Sequence, residues 1–188
     1  MTTITNDQPT EKLSDPSGRG KVDGYRIIFP QRQHDYTEEE IAAVVDVMRN
    51  AEGQTQGAYL EQFEADFAQF IGADHAFGVS NCTNALKLAG IFSNVGPGDE
   101  VIVPAYTYCA SAIPFGDLGA TIVWADIDPK TWTVDPEDVR RKITPRTKAI
   151  VAVHLLGIPA DMKALMPIAQ EHGIKVIEDC AQALDCTI

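Results

Sequence analysis

Cysteine is scarce, and none of the four residues, Cys82, Cys109, Cys180 and Cys186, belongs to a C-x-x-C pair. With no secretory leader ahead of them, this spacing excludes a disulfide framework and leaves buried thiols as the expectation. The histidines (His34, His75, His154 and His172) have no H-x-x-x-H spacing, so no metal site is expected. Positive charge is short as well: 15 Lys and Arg face 27 Asp and Glu, a net charge of −12 with no basic run. Such a chain repels phosphate backbones and anionic lipid, which argues against nucleic acid and membrane partners. No apolar run reaches spanning length and residues 1–24 are polar, so a cytoplasmic location is the default. No G-x-G-x-x-G follows a candidate strand, which removes the fingerprint of a dinucleotide-binding domain.

What is present is a globular composition, 45% hydrophobic and 22% charged, in 188 residues, enough for one domain or a piece of one. Residues 1–25 show little apolar periodicity and read as a mobile arm, with residues 26–188 as the folded part. Thr37-Glu38-Glu39-Glu40 forms a capping box, and Ile41, Val44, Val45 and Met48 follow at helical spacing. Tyr59, Phe63, Phe67 and Phe70 line one face of a second helix ending near Gly72, a stripe expected to lie in the core.

Downstream, short apolar runs alternate with helical patterns, the signature of parallel strands joined by crossover helices. Strands are expected over residues 76–80, 100–104, 121–125, 149–154 and 174–179, and helices over 83–92, 111–118, 136–143 and 161–172. Pro167 should kink or divide the last helix. The implied fold class is α/β, a three-layer α/β/α arrangement around a mostly parallel sheet.

Ligands of open α/β sheets gather beyond the carboxyl ends of the strands, and three of these ends are chemically suggestive. Ser80-Asn81-Cys82-Thr83-Asn84 opens a helix whose free N–H groups attract an anion such as phosphate, although an ordinary N-cap explains Ser and Asn equally well. Pro104-Ala105-Tyr106-Thr107-Tyr108 brings aromatic rings that either pack or stack on a flat ligand. Ile177-Glu178-Asp179 ends a buried run in acids, where an aspartate is either a turn residue or the partner of a protonated pyridine nitrogen. Together the three ends describe the phosphate, face and nitrogen of one cofactor, pyridoxal 5'-phosphate.

These residues resemble the DegT/DnrJ/StrS sugar aminotransferases, a family of the aspartate-aminotransferase fold type (fold type I). The resemblance runs from about Arg26 to Ala183 and is most specific at Val79-Ser80-Asn81-Cys82-Thr83-Asn84-Ala85-Leu86, Gly96-Pro97-Gly98-Asp99-Glu100 with Thr107-Tyr108, Val153-His154-Leu155 with Gly157, and Ile177-Glu178-Asp179 with Ala181-Gln182-Ala183. It implies the partial large domain of a pyridoxal-phosphate transferase, with the amides of Cys82 and Thr83 on the phosphate, Tyr108 on the ring, Asp179 on its nitrogen and Gln182 near its phenolic oxygen. Cys82 stands where the family usually has Gly, so a tighter or shifted turn is expected there.

The resemblance further implies an amino donor such as glutamate or glutamine, a keto-sugar (nucleotide-linked) or keto-cyclitol acceptor, and a role in antibiotic or polysaccharide biosynthesis. The lysine that holds the cofactor covalently in such enzymes has no counterpart up to Ile188, so no catalytic residue is assigned. Missing strands predict unpaired sheet edges, exposed apolar surface, and a homodimer or a complementary C-terminal chain as partner. A non-catalytic truncated homologue or interaction module, or a sugar dehydratase of the same fold, are the rival readings.

Overall fold

The computed structural model describes residues 35–51, 53 and 55–186, so the arm expected over 1–25 lies outside the described residues. Two units separate at Glu52/Gly53 and are taken in turn. In the first, α1 (Glu38–Asn50) begins with the capping box its sequence predicts: the Glu40 N–H donates to Thr37 Oγ1 (3.2 Å), and the Thr37 N–H donates to Glu40 Oε2 (2.7 Å). None of its residues is buried within the structure.

The second unit holds α2 (Ala58–Ile71), α3 (Cys82–Phe92), β1 (Glu100–Pro104), α4 (Ile113–Asp117), β2 (Thr121–Ala125), α5 (Pro136–Lys142), β3 (Thr147–Val153), α6 (Met162–His172) and β4 (Lys175–Asp179). The four strands are all parallel, in the order β2-β1-β3-β4. Successive side chains of a strand point to opposite faces, and here both faces are apolar, so both must be covered. Val101, Val103, Ala149, Val151 and Ile177 pack on one face with Leu86 of α3 and Phe115 of α4. Ile102, Ile150 and Ala152 pack on the other with Val139 of α5 and Leu165 and Ala169 of α6. The result is the three-layer α/β/α arrangement. Gly90 lets α3 and α4 meet, since a Cβ there would stand 2.7 Å from Leu118 Cδ1 and 3.1 Å from the Phe115 ring.

The path of the chain sets the position of the site. It steps outward from β1 to β2 through α4, returns past β1 to β3 through α5, and continues to β4 through α6. The direction reverses between β1 and β3, with α4 on one face and α5 and α6 on the other. At such a reversal the connections diverge and leave a crevice at the carboxyl ends of the two strands.

Several expectations are corrected. Residues 76–80 are not a strand: no described strand lies beside them, and the Gly78 N–H donates instead to Glu64 Oε1 of α2 (2.6 Å). The aromatic stripe of α2 is not core, for Tyr59, Phe63 and Phe70 are exposed and none of the helix is buried, as no described element covers that face. The helix expected over 111–118 divides into a 3-10 turn (Cys109–Ser111) and α4, with Pro114 placed in the first turn where a missing N–H costs nothing. Of the two outcomes expected at Pro167, division does not occur: α6 runs through this exposed proline as one helix. All four cysteines are free and exposed rather than buried, because they stand at strand and helix ends and in the final loop.

The loop after β2 is tied to α5 by Asp138, the third residue of that helix. Its carboxylate accepts the Asp126 N–H (2.6 Å), Lys142 Nζ (2.7 Å) and Arg141 Nη2 (2.9 Å). The Asp126 amide first, then the two cations, hold its pKa down at about 2, against an ordinary 3.8. A lowered carboxylate pKa stabilises the fold above the unfolded value, and that contribution disappears as pH falls from about 4 through 2. Asp138→Asn is expected to cost on the order of 1 kcal/mol at neutral pH and to flatten the decline in melting temperature between these pH values. An unchanged acid limb in the variant would contradict this assignment.

Candidate functional site

A concave pocket of about 160 Å³ occupies the crevice at the β1/β3 reversal, and its wall is built from four strand or helix ends. Thr107, Tyr108 and Ser111 come from the segment after β1, Val153 and His154 from the end of β3, Asp179 and Gln182 from the end of β4, and Cys82 and Thr83 from the start of α3. Cys82, Thr83, Tyr108, Asp179 and Gln182, which the sequence singles out from three separate segments, therefore share one cavity.

The floor is Asp179, the last residue of β4, only 5% exposed. Ser111 Oγ donates to its Oδ2 (2.6 Å), and the Ala181 N–H (3.1 Å) and Cys82 Sγ (3.6 Å) donate to its Oδ1. No lysine, arginine or histidine among the described residues pairs with it. Buried carboxylates elsewhere in the protein are compensated: Glu100 takes a hydrogen bond from Thr144 and an ion pair from Arg146, which hold its pKa below the usual range. Asp179, among the described residues, has neutral donors only and no basic partner.

The hydrogen-bond directions around it are determined by proton count. Ser111 spends its one proton on Asp179, so in the Thr107–Ser111 contact (2.8 Å) the Thr107 hydroxyl must donate. Thr107 then shows the pocket only lone pairs. Although Cys82 is exposed as a residue, the partial burial of its thiol and then the Asp179 charge push its pKa up to about 11 and hold it as a thiol. It is the first residue of α3, with Asn81 as N-cap accepting the Asn84 N–H (2.9 Å). The Cys82 and Thr83 amides precede the helical ladder and have no intrahelical partner.

Tyr108 is 69% exposed and lies on the pocket wall, which disposes of core packing as the reason for its ring. Gln182 Oε1 accepts the Leu156 N–H (2.9 Å), so its NH₂ group is the end left for other partners. Sequence reasoning assigned no role to Thr107, Ser111 or His154. The available signal for the first two is their four-residue spacing after a strand, which places both hydroxyls on one side of the 3-10 turn. No lysine lines the pocket among the described residues, no group of His, Cys, Asp and Glu there could hold a metal ion, and no described helix is long and apolar enough to cross a membrane.

A doubly wound sheet with a buried acid and a helix N-terminus at its switch point defines a class of ligand-binding α/β proteins, and comparison with known proteins narrows it. Residues 34–188 match the model of the DegT/DnrJ/EryC1/StrS aminotransferase family, and the chain belongs to that family. It is 46% identical over 147 residues to dTDP-3-amino-3,4,6-trideoxy-alpha-D-glucose transaminase of Streptomyces venezuelae, covering 78% of this chain and 38% of the relative. Among solved structures, an aminotransferase from Psychrobacter cryohalolentis superposes with a TM-score of 0.78 at 40% identity, over 81% of this chain and 39% of the other. A putative sugar aminotransferase from Streptococcus pneumoniae, solved in its PLP-form, gives 0.76 at 32% identity, over 80% and 42%. The chain thus spans about two fifths of the length of the relatives it matches.

The Cys82–Asp179 contact has a chemical consequence. A thiol with a pKa about two units above the ordinary 9.0 holds far less thiolate at pH 8. Iodoacetamide labelling of Cys82, read by peptide mass spectrometry, should be roughly 10- to 100-fold slower than that of an unperturbed thiol, and should accelerate as pH approaches 11. Rapid labelling at pH 8 would show that the thiol is not held against the carboxylate.

Proposed function

We propose that this chain is the cofactor-docking part of a pyridoxal-phosphate-dependent aminotransferase. The observation that supports this most is Asp179, a buried carboxylate without a cation, aimed at a pocket at the sheet's switch point. A ligand bearing a protonated ring nitrogen supplies the missing charge. The remaining donors fit the same group. The free amides of Cys82 and Thr83 and the positive end of α3 would hold its phosphate. Tyr108 would cover a ring face, and the NH₂ of Gln182 would donate to its phenolic oxygen.

Pyridoxal phosphate, when bound, supplies an electron sink for bonds to the carbon that bears an amine, and does so best with its nitrogen protonated. Asp179 would accept the hydrogen bond of that nitrogen, and Ser111 and Ala181, which donate to its two carboxylate oxygens, orient the acid for it. Thr107 supports Ser111 from behind. Among the described residues no lysine lines the pocket, so those that do would dock the cofactor without bonding to it. The pocket of about 160 Å³ that the described residues enclose is smaller than the roughly 300–1,000 Å³ usual for ligand sites.

Residues 26–188 are accordingly read as part of a cofactor-binding large domain, working within a homodimer or beside a complementary C-terminal chain. The whole protein would move an amino group from glutamate or glutamine to a nucleotide-linked keto-sugar or a keto-cyclitol. That substrate class follows from the sugar-nucleotide transaminase it resembles.

Titration of the chain with pyridoxal phosphate tests the docking role. Saturable change in the cofactor's absorbance is expected, with no borohydride-stable adduct. Asp179→Asn keeps the shape and loses the charge-assisted bond, so it should weaken binding by about 10- to 100-fold. A specific covalent adduct on one of the chain's own lysines, or an Asp179→Asn chain that binds as tightly as its parent, would overturn the proposal.

A further inference from the structure

We propose that His154 is a positioning residue. Fixed as a neutral imidazole with its proton on Nε2, it holds the turn over residues 155–160, and through that turn the amide of Gln182, against the wall that Asp179 completes. This inference rests on the cofactor reading of the pocket. The residue is 4% exposed and its ring bridges two separate parts of the chain. Nδ1 lies 3.0 Å from the Ala160 N–H, and Nε2 lies 3.0 Å from Glu178 Oε2.

The protons can be counted. A backbone N–H can only donate, so Nδ1 must present a lone pair, and Ala160, only 1% exposed, has its N–H away from bulk solvent. The single ring proton is then on Nε2, where it donates to the Glu178 carboxylate. An imidazolium would set N–H against N–H at Ala160. The tautomer is therefore dictated by the fold.

The turn needs such a fixture. Leu156 is left-handed (φ 56°) and Gly157 follows at φ 79°; a branched side chain adopts the first conformation only when its surroundings impose it. Two side chains meet the turn's free amides, Gln182 at Leu156 (2.9 Å) and His154 at Ala160 (3.0 Å). The Gln182 oxygen is engaged by the turn, so the direction of its NH₂ group depends on where the turn sits. The His154 N–H meanwhile donates to the Asp179 carbonyl (3.1 Å) and Glu178 precedes Asp179, so one residue joins the ends of β3 and β4 to the turn. A buried histidine that only filled space would need neither ring nitrogen.

The test uses the whole 188-residue chain, isotopically labelled at histidine and amides, with pyridoxal phosphate as the probe. Nitrogen shifts should report Nδ1 bare and Nε2 protonated. His154→Phe removes both ring contacts and should weaken binding about tenfold or more, with loss of amide protection at Leu156 and Ala160. In His154→Asn the side-chain oxygen can still accept the Ala160 N–H, so it should recover most of the affinity and protection. Glu178→Gln keeps an acceptor for Nε2–H and should bind within about twofold of the parent.

A proton on Nδ1, undiminished binding by His154→Phe, or an Asn variant no better than Phe would overturn the inference. Should the Phe variant not fold, the tautomer and the Asn variant's exchange still decide. If the parent chain does not bind the probe, the cofactor reading fails, and amide exchange alone judges the positioning role: equal protection of Ala160 in parent and Phe variant refutes it.

Discussion

An ionised carboxylate taken out of water costs several kcal/mol unless something answers its charge, and the site depends on how this constraint is met at Asp179. Three neutral donors satisfy its lone pairs while leaving the charge itself unanswered. The fold supplies those donors from the start of α3, the segment after β1 and the end of β4, so the acid cannot be held unless these elements meet at one point. Other buried acids show the contrast. Glu100 and Asp138 have basic partners and join elements of the fold together. Asp179 alone of the three has no basic partner among the described residues.

The parallel sheet makes that meeting possible. Both faces of β1 and β3 are buried, so their ends are the places where polar side chains can leave the core and still be fixed by it. Reversal of the chain between these strands opens the crevice, and the helices on opposite faces keep it from closing. Thr107 and Ser111 then give the hydrogen bonds at Asp179 a definite direction.

Much of this was legible in the sequence, for local reasons. β1 and β2 follow from short apolar runs between turn residues, and α5 and α6 from helical patterns over 136–143 and 161–172; the structure adds Asp135 and Asp161 as their N-caps, each accepting a helix amide. The segments that hold Cys82, Thr83, Tyr108, Asp179 and Gln182 stood out because they follow strand candidates or open a helix, and the resemblance picked the individual residues; the structure brings all five to one pocket. What failed was non-local. Residues 76–80 have the composition of a strand, but pairing requires a neighbour, and none of the described strands provides it. Phe63 and Phe70 have the spacing of a core stripe, but burial requires a facing surface. The roles of Ser111 and His154 were not legible, because a hydroxyl pointing at a carboxylate 68 residues away, or an imidazole between Ala160 and Glu178, leaves no periodic trace.

The central claim, that Asp179 is left charged to hold a ring nitrogen's proton, is tested most directly by the nitrogen-15 shift of ring-labelled pyridoxal phosphate bound to this chain at pH 8. A protonated pyridine nitrogen in the parent that becomes unprotonated in Asp179→Asn is the expected result. A bare nitrogen in the parent complex would contradict the account.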